Sequence, residues 1–192
     1  RNQFAAYGIK SPVLRPMQKA LIREYGVPEG KALKRLVELC MDDEYREVHY
    51  FAIEMVQVAQ KKQNESFIQL LEYLIIHQSW WDTVDWVAKL VGIYFQQYPA
   101  QILPITRSWM DSDNLWLQRV CIIFQLFYRE QTDEKLLYRY ILEIAPSKEF
   151  FLQKAAGWAL RQYSRYHAES VIAFVEEQEE QLSALTKREG LR

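Results

Sequence analysis

Little in this chain is built to interrupt a helix. Its 192 residues include only six glycines and six prolines, and these are expected to fall between periodic segments rather than inside them. Runs that alternate apolar and polar residues are short, so a sheet is not expected. Cysteine is scarce. Cys40 and Cys121 have no CxxC spacing and no nearby histidine cluster, which reads as two buried free thiols in a reducing, cytoplasmic compartment. His49, His77 and His167 are too scattered for a metal site, and no metal or cofactor is expected. No apolar run is long enough to span a bilayer and no signal peptide is evident, so a membrane partner is not expected. Charge of one sign is also missing. The formal net charge is -1, so the molecule as a whole is not electrostatically committed to nucleic acid. Any anion-binding surface has to come from local segregation of charge.

What is present is a large apolar fraction, 49% of residues, with six tryptophans and twelve tyrosines. That is enough for a sizeable core and argues against disorder. Apolar periodicity predicts helices near 12–25, 29–41, 43–61, 65–76, 79–96, 99–111, 113–129, 132–144, 147–165, 168–178 and 181–190. Ser11-Pro12 fits a cap followed by proline at the first helical position. Asp113, Thr132 and Ser147 are the expected starts of later helices. The stretches "SWWDTVDW", "SDNLWLQR" and "FLQKAAGWALR" open comparable apolar helices about one helix-pair repeat apart, the HEAT type running roughly 40 residues. The expected fold class is all-α: a curved superhelical solenoid of HEAT-like helix-pair repeats, one domain over 1–192, monomeric.

Three helices carry faces of interest. In the helix from 79, Trp80, Val84, Val87, Ala88 and Val91 make a core stripe, while Trp81, Asp85 and Lys89 share another face at i, i+4 and i+8. Asp82 lies in the first turn, where the helix dipole favours a carboxylate, and Trp86 is expected to pack on a neighbouring helix. In the helix from 113, Trp116, Val120, Ile123, Phe124 and Phe127 make the core stripe. Arg119 is the only charge between Leu115 and Tyr128. It reads either as a snorkelling arginine or as the ion-pair partner of Asp85. In the helix from 147, Leu152, Ala155, Ala159 and Tyr163 face the core. The opposite stripe holds Lys154, Trp158, Arg161, Gln162 and Arg165. Trp158 there either caps a repeat interface or offers an indole to a polyanion. "EEQEEQ" at 176–181 reads as a solvated face, and "KRE" at 187–189 as exposed.

These residues resemble a known family. "NQFAAYGIKSPVLRP", "SWWDTVD", "SDNLWLQRVCIIFQL", "SKEFFLQKAAGWALRQY" and "LSALTKREGLR", in this order and over nearly the whole chain, are similar to the HEAT-like-repeat DNA glycosylases of the AlkD type, the DNA alkylation repair enzymes. The resemblance implies hydrolysis of the N-glycosidic bond of N3- and N7-alkylated purines, with double-stranded DNA as the partner. It implies that Asp85 is the catalytic carboxylate, with Trp81 beside it and Arg119 and Trp158 completing the catalytic set. Lys154, Arg161, Arg165 and Arg119 are then the expected DNA contacts. It also implies that the chain begins near the end of the family's second helix, so that the N-terminal helices are incomplete. Pro16 stands where a second basic residue is more usual. The competing readings are a non-catalytic DNA-binding solenoid and a protein-interaction scaffold, since function belongs to the site and not to the fold.

Overall fold

The protein is described by a computed structural model covering residues 3–62 and 64–192. Among these residues there are eleven α-helices. They are α1 (Ser11–Tyr25), α2 (Gly30–Met41), α3 (Arg46–Ala59), α4 (Ile68–Ile76), α5 (Trp81–Gln97), α6 (Ile102–Met110), α7 (Leu115–Ile123), α8 (Glu134–Ile144), α9 (Phe150–Ser164), α10 (Ala168–Glu177) and α11 (Ala184–Gly190). Each corresponds to one of the expected segments. The only extended pairing among the described residues is a single bridge between Ala5 and Tyr45. The chain forms two compact units, Arg1–Val87 and Ala88–Arg192, dividing within α5.

In the first unit α3 packs on both α1 and α2. In the second, α9 is the hub, packing on α7, α8, α10 and α11. Contacts between helices two apart in the chain (α1 with α3, α7 with α9, α9 with α11) are those that stacked helix pairs make. The cores follow the expected stripes except at Trp80 and Trp116, which are only half-buried, and at Phe127, which is exposed. On α5, Val84, Val87, Ala88 and Val91 are at most 1% exposed, and each buried valine contributes about 1.5–2 kcal/mol relative to exposure. Leu152, Ala155, Ala159 and Tyr163 of α9 are likewise buried. Cys40 and Cys121 are buried free thiols.

Several helix ends differ from expectation, two of them because the residue next to the expected cap is the one that bonds. Asn114, not Asp113, caps α7, its side chain accepting from Trp116 N and Leu117 N. Asp133, not Thr132, caps α8 through Leu136 N. Ser11 lies inside α1 and Lys10 is the cap position, without a side-chain bond. Ser147 accepts from Glu149 N three residues ahead of the first residue of α9. The helix expected to reach 129 stops at Ile123, and the chain turns. Phe127 therefore leaves the core stripe and is exposed, with Lys89 Nζ 5.5 Å from its ring centroid.

Nor do glycine and proline keep to the connections. Pro16 lies within α1. Gly92 lies in α5, where a Cβ would collide with the Phe124 carbonyl oxygen. Tyr128 closes the same contact, donating from its hydroxyl to Gly92 O at 2.6 Å. Gly157 lies in α9. These glycines are there for close helix approach, which hydrophobic periodicity does not register.

Candidate functional site

The first unit is organised around one buried cation. Arg46, 5% exposed at the start of α3, donates to both Asp82 oxygens (2.5 and 3.4 Å), to Thr83 Oγ1 (2.8 Å) and to the Gln78 carbonyl (2.6 Å). Phe4 lies against its guanidinium, ring centroid 4.0 Å away. Tyr50 adds a hydroxyl donated to Asp82 Oδ2 at 2.6 Å. Burial and that bond push the Tyr50 phenol up to about 12, so it stays a donor. Burial pushes the Asp82 carboxyl up, but the bonds from Arg46, Tyr50 and the Thr83 N–H outweigh it, and the group is held below its ordinary range. Burial, with the charge of Arg46 beside it, lowers the His49 imidazole below its ordinary range. Its Nε2–H donates to the Asp43 carbonyl (2.8 Å), leaving Nδ1 to accept from Arg46 (3.3 Å).

Asp82 is thus structural, as its first-turn position suggested, and it locks the entry to α5. Gln78, just before that helix, sits at φ 48°, a left-handed backbone conformation costly for a residue with a side chain. Its carbonyl is the one Arg46 grips. The face that carries Trp81 and Asp85 begins three residues further on. Trp81 is 50% exposed on a helix whose core residues are closed to solvent. Asp85, one turn along, is half-buried and already engaged by other groups. Trp86 is half-buried and donates its Nε1–H to Gln57 Oε1 of α3 at 2.8 Å, so it does pack on a neighbouring helix. Arg15 of α1 lies over its ring, 5.8 Å from the centroid.

The second unit has the opposite polarity. Glu189 of α11 is 4% exposed, and the cations come to it. Lys154 Nζ lies 2.9 Å from Oε1, Arg161 Nη1 2.9 Å from Oε2, and Arg192 Nη1 3.5 Å from Oε1. The bond from Lys154 is the main reason its carboxyl lies below the usual range. "KRE" at 187–189 was expected to be exposed; Glu189 is instead an internal anchor. The cause is steric. At Gly157 a Cβ would stand 2.5 Å from Glu189 Cβ and 2.9 Å from Thr186 O, so α11 rests directly on the backbone of α9. Thr186 Oγ1 donates to Gln153 O (3.1 Å) to hold it there.

Of the expected DNA contacts, Lys154 and Arg161 are therefore pinned from the inside and still partly open on their outer sides, with side chains 38% and 30% exposed. Trp158 lies between them, half-buried, and Arg165 is exposed at the C-cap. Arg119 on α7 is 3% exposed and donates to the Phe151 carbonyl at 2.5 Å, so an apolar helix satisfies part of its fork with backbone. The Arg46–Asp82 pair and Glu189 escaped sequence reasoning. Only the lone acid in "TKREG", beside the glycine-bearing "AAGWALR" of α9, hinted at the second.

The family profile described as DNA alkylation repair enzyme matches residues 1–192. The chain belongs to that family. Among solved structures, it is similar to a "predicted DNA alkylation repair enzyme" from Enterococcus faecalis, at 29% identity and TM-score 0.90, over 98% of this chain and 87% of that one. It also shares its fold with smu.31 from Streptococcus mutans UA159, at 17% identity and TM-score 0.70, over 92% and 90% of the two chains. AlkD2 from Streptococcus mutans is similar at 17% identity and TM-score 0.65, over 85% and 80%. Comparison with curated proteins finds no match. This member of the DNA alkylation repair family is thus an all-helical repeat protein with two polar anchors, one per unit.

Proposed function

We propose that this protein is a DNA glycosylase that hydrolyses the N-glycosidic bond of cationic N3- and N7-alkylated purines in duplex DNA. One observation carries the reading beyond family membership: Trp81 stands half exposed one helical turn from Asp85, a costly display of indole beside a carboxylate. The structural duties nearby fall to Asp82.

Alkylation at N3 or N7 leaves positive charge on the purine, so the base departs without a general acid. The barrier is then the oxocarbenium character that grows on the deoxyribose. Asp85 stabilises that charge and orients the attacking water. Trp81 and Trp158 provide aromatic faces to the cationic base and sugar, each worth about 0.5–2 kcal/mol depending on desolvation. Arg119, 3% exposed and bonded to the Phe151 carbonyl, holds the start of α9 rather than a phosphate. Lys154, Arg161 and Arg165 contact phosphates, so affinity falls steeply with salt. Neutral lesions such as uracil are poor substrates on this reading, because their leaving groups gain nothing from a carboxylate near the sugar.

The deciding experiment is incubation with duplex DNA carrying 7-methylguanine or 3-methyladenine, followed by detection of free base. Base release by the wild-type protein, and its loss in Asp85→Asn by a factor on the order of a hundred or more with duplex affinity kept, is the expected result. Salt-dependent binding with no abasic product would leave a DNA-binding solenoid without catalysis. Equal loss of binding and excision in Asp85→Asn would remove the carboxylate from the chemistry.

A further inference from the structure

Among the described residues, one buried side-chain polar atom has no hydrogen-bond partner: Oε1 of Gln18. Gln18 lies on α1 and is 3% exposed. Its Nε2–H donates to the Glu47 carbonyl at 3.2 Å. That bond fixes the amide, because a flip would set oxygen against oxygen. A buried acceptor left unmet carries its full desolvation penalty, and such an atom in a native protein calls for a donor.

Gln18 forms part of the wall of a concavity of about 140 Å³ between α1, α3 and α5. All the residues lining it belong to the first unit. Its size matters, since a cavity of about 150 Å³ holds a benzene ring. An adjoining concavity of about 320 Å³ shares Ser11 and Arg15 with it, so a second fused ring has somewhere to extend.

The walls narrow the chemistry of an occupant. Leu14, one turn before Gln18, is buried and gives an apolar floor. Trp86 is half-buried, and its Nε1–H is taken by Gln57, so the indole offers surface and no donor. The exposed Arg15 holds its guanidinium 5.8 Å from the Trp86 ring centroid. Direct stacking would bring the two to about 3.5–4 Å, and a flat ring between them needs about 7 Å, so a side-chain shift of about 1 Å admits one. Asp82 lines the same concavity. It repels an anion, and an anion has no proton for Gln18 Oε1. A simple cation meets Arg15, and the Asp82 charge that would attract it is already engaged by Arg46. What fits is a neutral, flat molecule with an N–H for Gln18 Oε1 and an acceptor for Arg15. A nucleobase edge has that pairing, and every base has a face to stack.

We propose that this concavity is a binding site for a free purine base, held flat between Arg15 and Trp86 with an N–H donated to Gln18 Oε1. The choice of a methylated purine as occupant rests on the glycosylase reading, under which such bases are released nearby; the pairing of donor and acceptor does not. Asp82 and Trp86 lie about 100° round α5 from the Trp81–Asp85 line, so the site is beside the proposed catalytic face and distinct from it.

The test is isothermal titration calorimetry of the full chain with two free purines. 7-Methylguanine carries N–H donors. Caffeine has the same fused rings and carbonyl acceptors but no N–H. Wild type should bind one equivalent of 7-methylguanine, and caffeine roughly tenfold more weakly. Gln18→Met keeps the length of the side chain without the acceptor. It should lose roughly tenfold in affinity for 7-methylguanine and leave caffeine unchanged. Trp86→Leu should weaken both purines. If Gln18→Met does not fold, the wild-type contrast between the two purines decides alone. Equal affinity of wild type for the two, or undiminished 7-methylguanine binding by folded Gln18→Met, overturns the site. Binding of 7-methylguanine only as part of a duplex overturns it in favour of a base still held by DNA. Release of base from alkylated duplex by a protein that does not bind free 7-methylguanine overturns this inference and leaves the glycosylase reading standing. Binding of the free base without release from duplex does the reverse.

Discussion

The two units solve one electrostatic problem with reversed signs. In the first, a cation is buried and the acceptors close around it: Arg46 is enclosed by Asp82, Thr83, the Gln78 carbonyl and His49. In the second, an anion is buried and the cations reach in from outside: Glu189 collects Lys154, Arg161 and Arg192. The difference matters for what each unit presents to a partner. Arg46 is consumed by its network and shows nothing to solvent, so its role is to aim the start of α5. Lys154 and Arg161 keep an outer side, so the anchor that fixes them also displays them. A buried pair is poor evidence of net stabilisation. What both anchors deliver is a defined position for a helix carrying an aromatic residue.

The contrast is broken most strongly at Asp82. Asp82→Asn leaves Arg46 buried without its counter-charge and is expected to cost about 3 kcal/mol, read by urea denaturation. Asp85→Asn, three residues along the same helix, should cost distinctly less stability while losing excision. If the two variants swapped these signatures, Asp82 would be the chemical group and Asp85 the structural one. Gly157→Ala attacks the other anchor without touching a charge. The new methyl meets Glu189 Cβ and the Thr186 carbonyl, and overpacking of this kind costs about 2 kcal/mol. A wild-type denaturation midpoint in that variant would show that α11 is not seated on α9 as described.

Acid titration sharpens the comparison further. Asp82, Glu47 and Glu189 all have carboxyls held below their ordinary values. For Glu47, burial acts upward, but backbone N–H groups including those of Tyr7 (3.1 Å) and Ile9 (3.0 Å) prevail. A carboxyl depressed in the native state stabilises it fully above the unfolded value of about 4. That contribution drains as pH falls through the native value. The melting temperature should be level above about pH 5 and decline below about pH 4. The decline should be shallower in Asp82→Asn, and also in Gly157→Ala, where Glu189 is lifted from Lys154 and Arg161. The smallest effect is expected at Gln78. Its φ of 48° suits glycine, so Gln78→Gly should raise stability by about 0.5 kcal/mol, the relief of strain slightly exceeding the extra entropy of the unfolded chain.

The helices were legible because their apolar spacing repeats over many residues, and each of the eleven corresponds to an expected segment. Their ends were less so. Asn114 and Asp133 each stand beside another plausible cap, and the backbone geometry that chooses between neighbours is not written in a pattern. Phe127 fits a helical stripe only if the helix continues, and it stops four residues earlier. The Trp81–Asp85 face was legible as an i, i+4 pair because its members lie on one helix. The pair formed by Arg46 and Asp82 joins residues of different helices, and Glu189 is buried only because residue 157 has no side chain. Both facts depend on which helix lies on which.

Gly157 has a consequence that extends beyond stability. The residue carries only hydrogen where its neighbours carry carbon, and by that margin α11 settles low enough for its carboxylate to reach under Lys154 and Arg161. Any side chain acquired there would lift α11 and loosen both ammonium and guanidinium, redrawing the outer field of α9 though every ionisable residue stayed the same. In descendants of this protein, a neutral exchange in the interior is therefore able to retune an electrostatic surface that no charge substitution has touched.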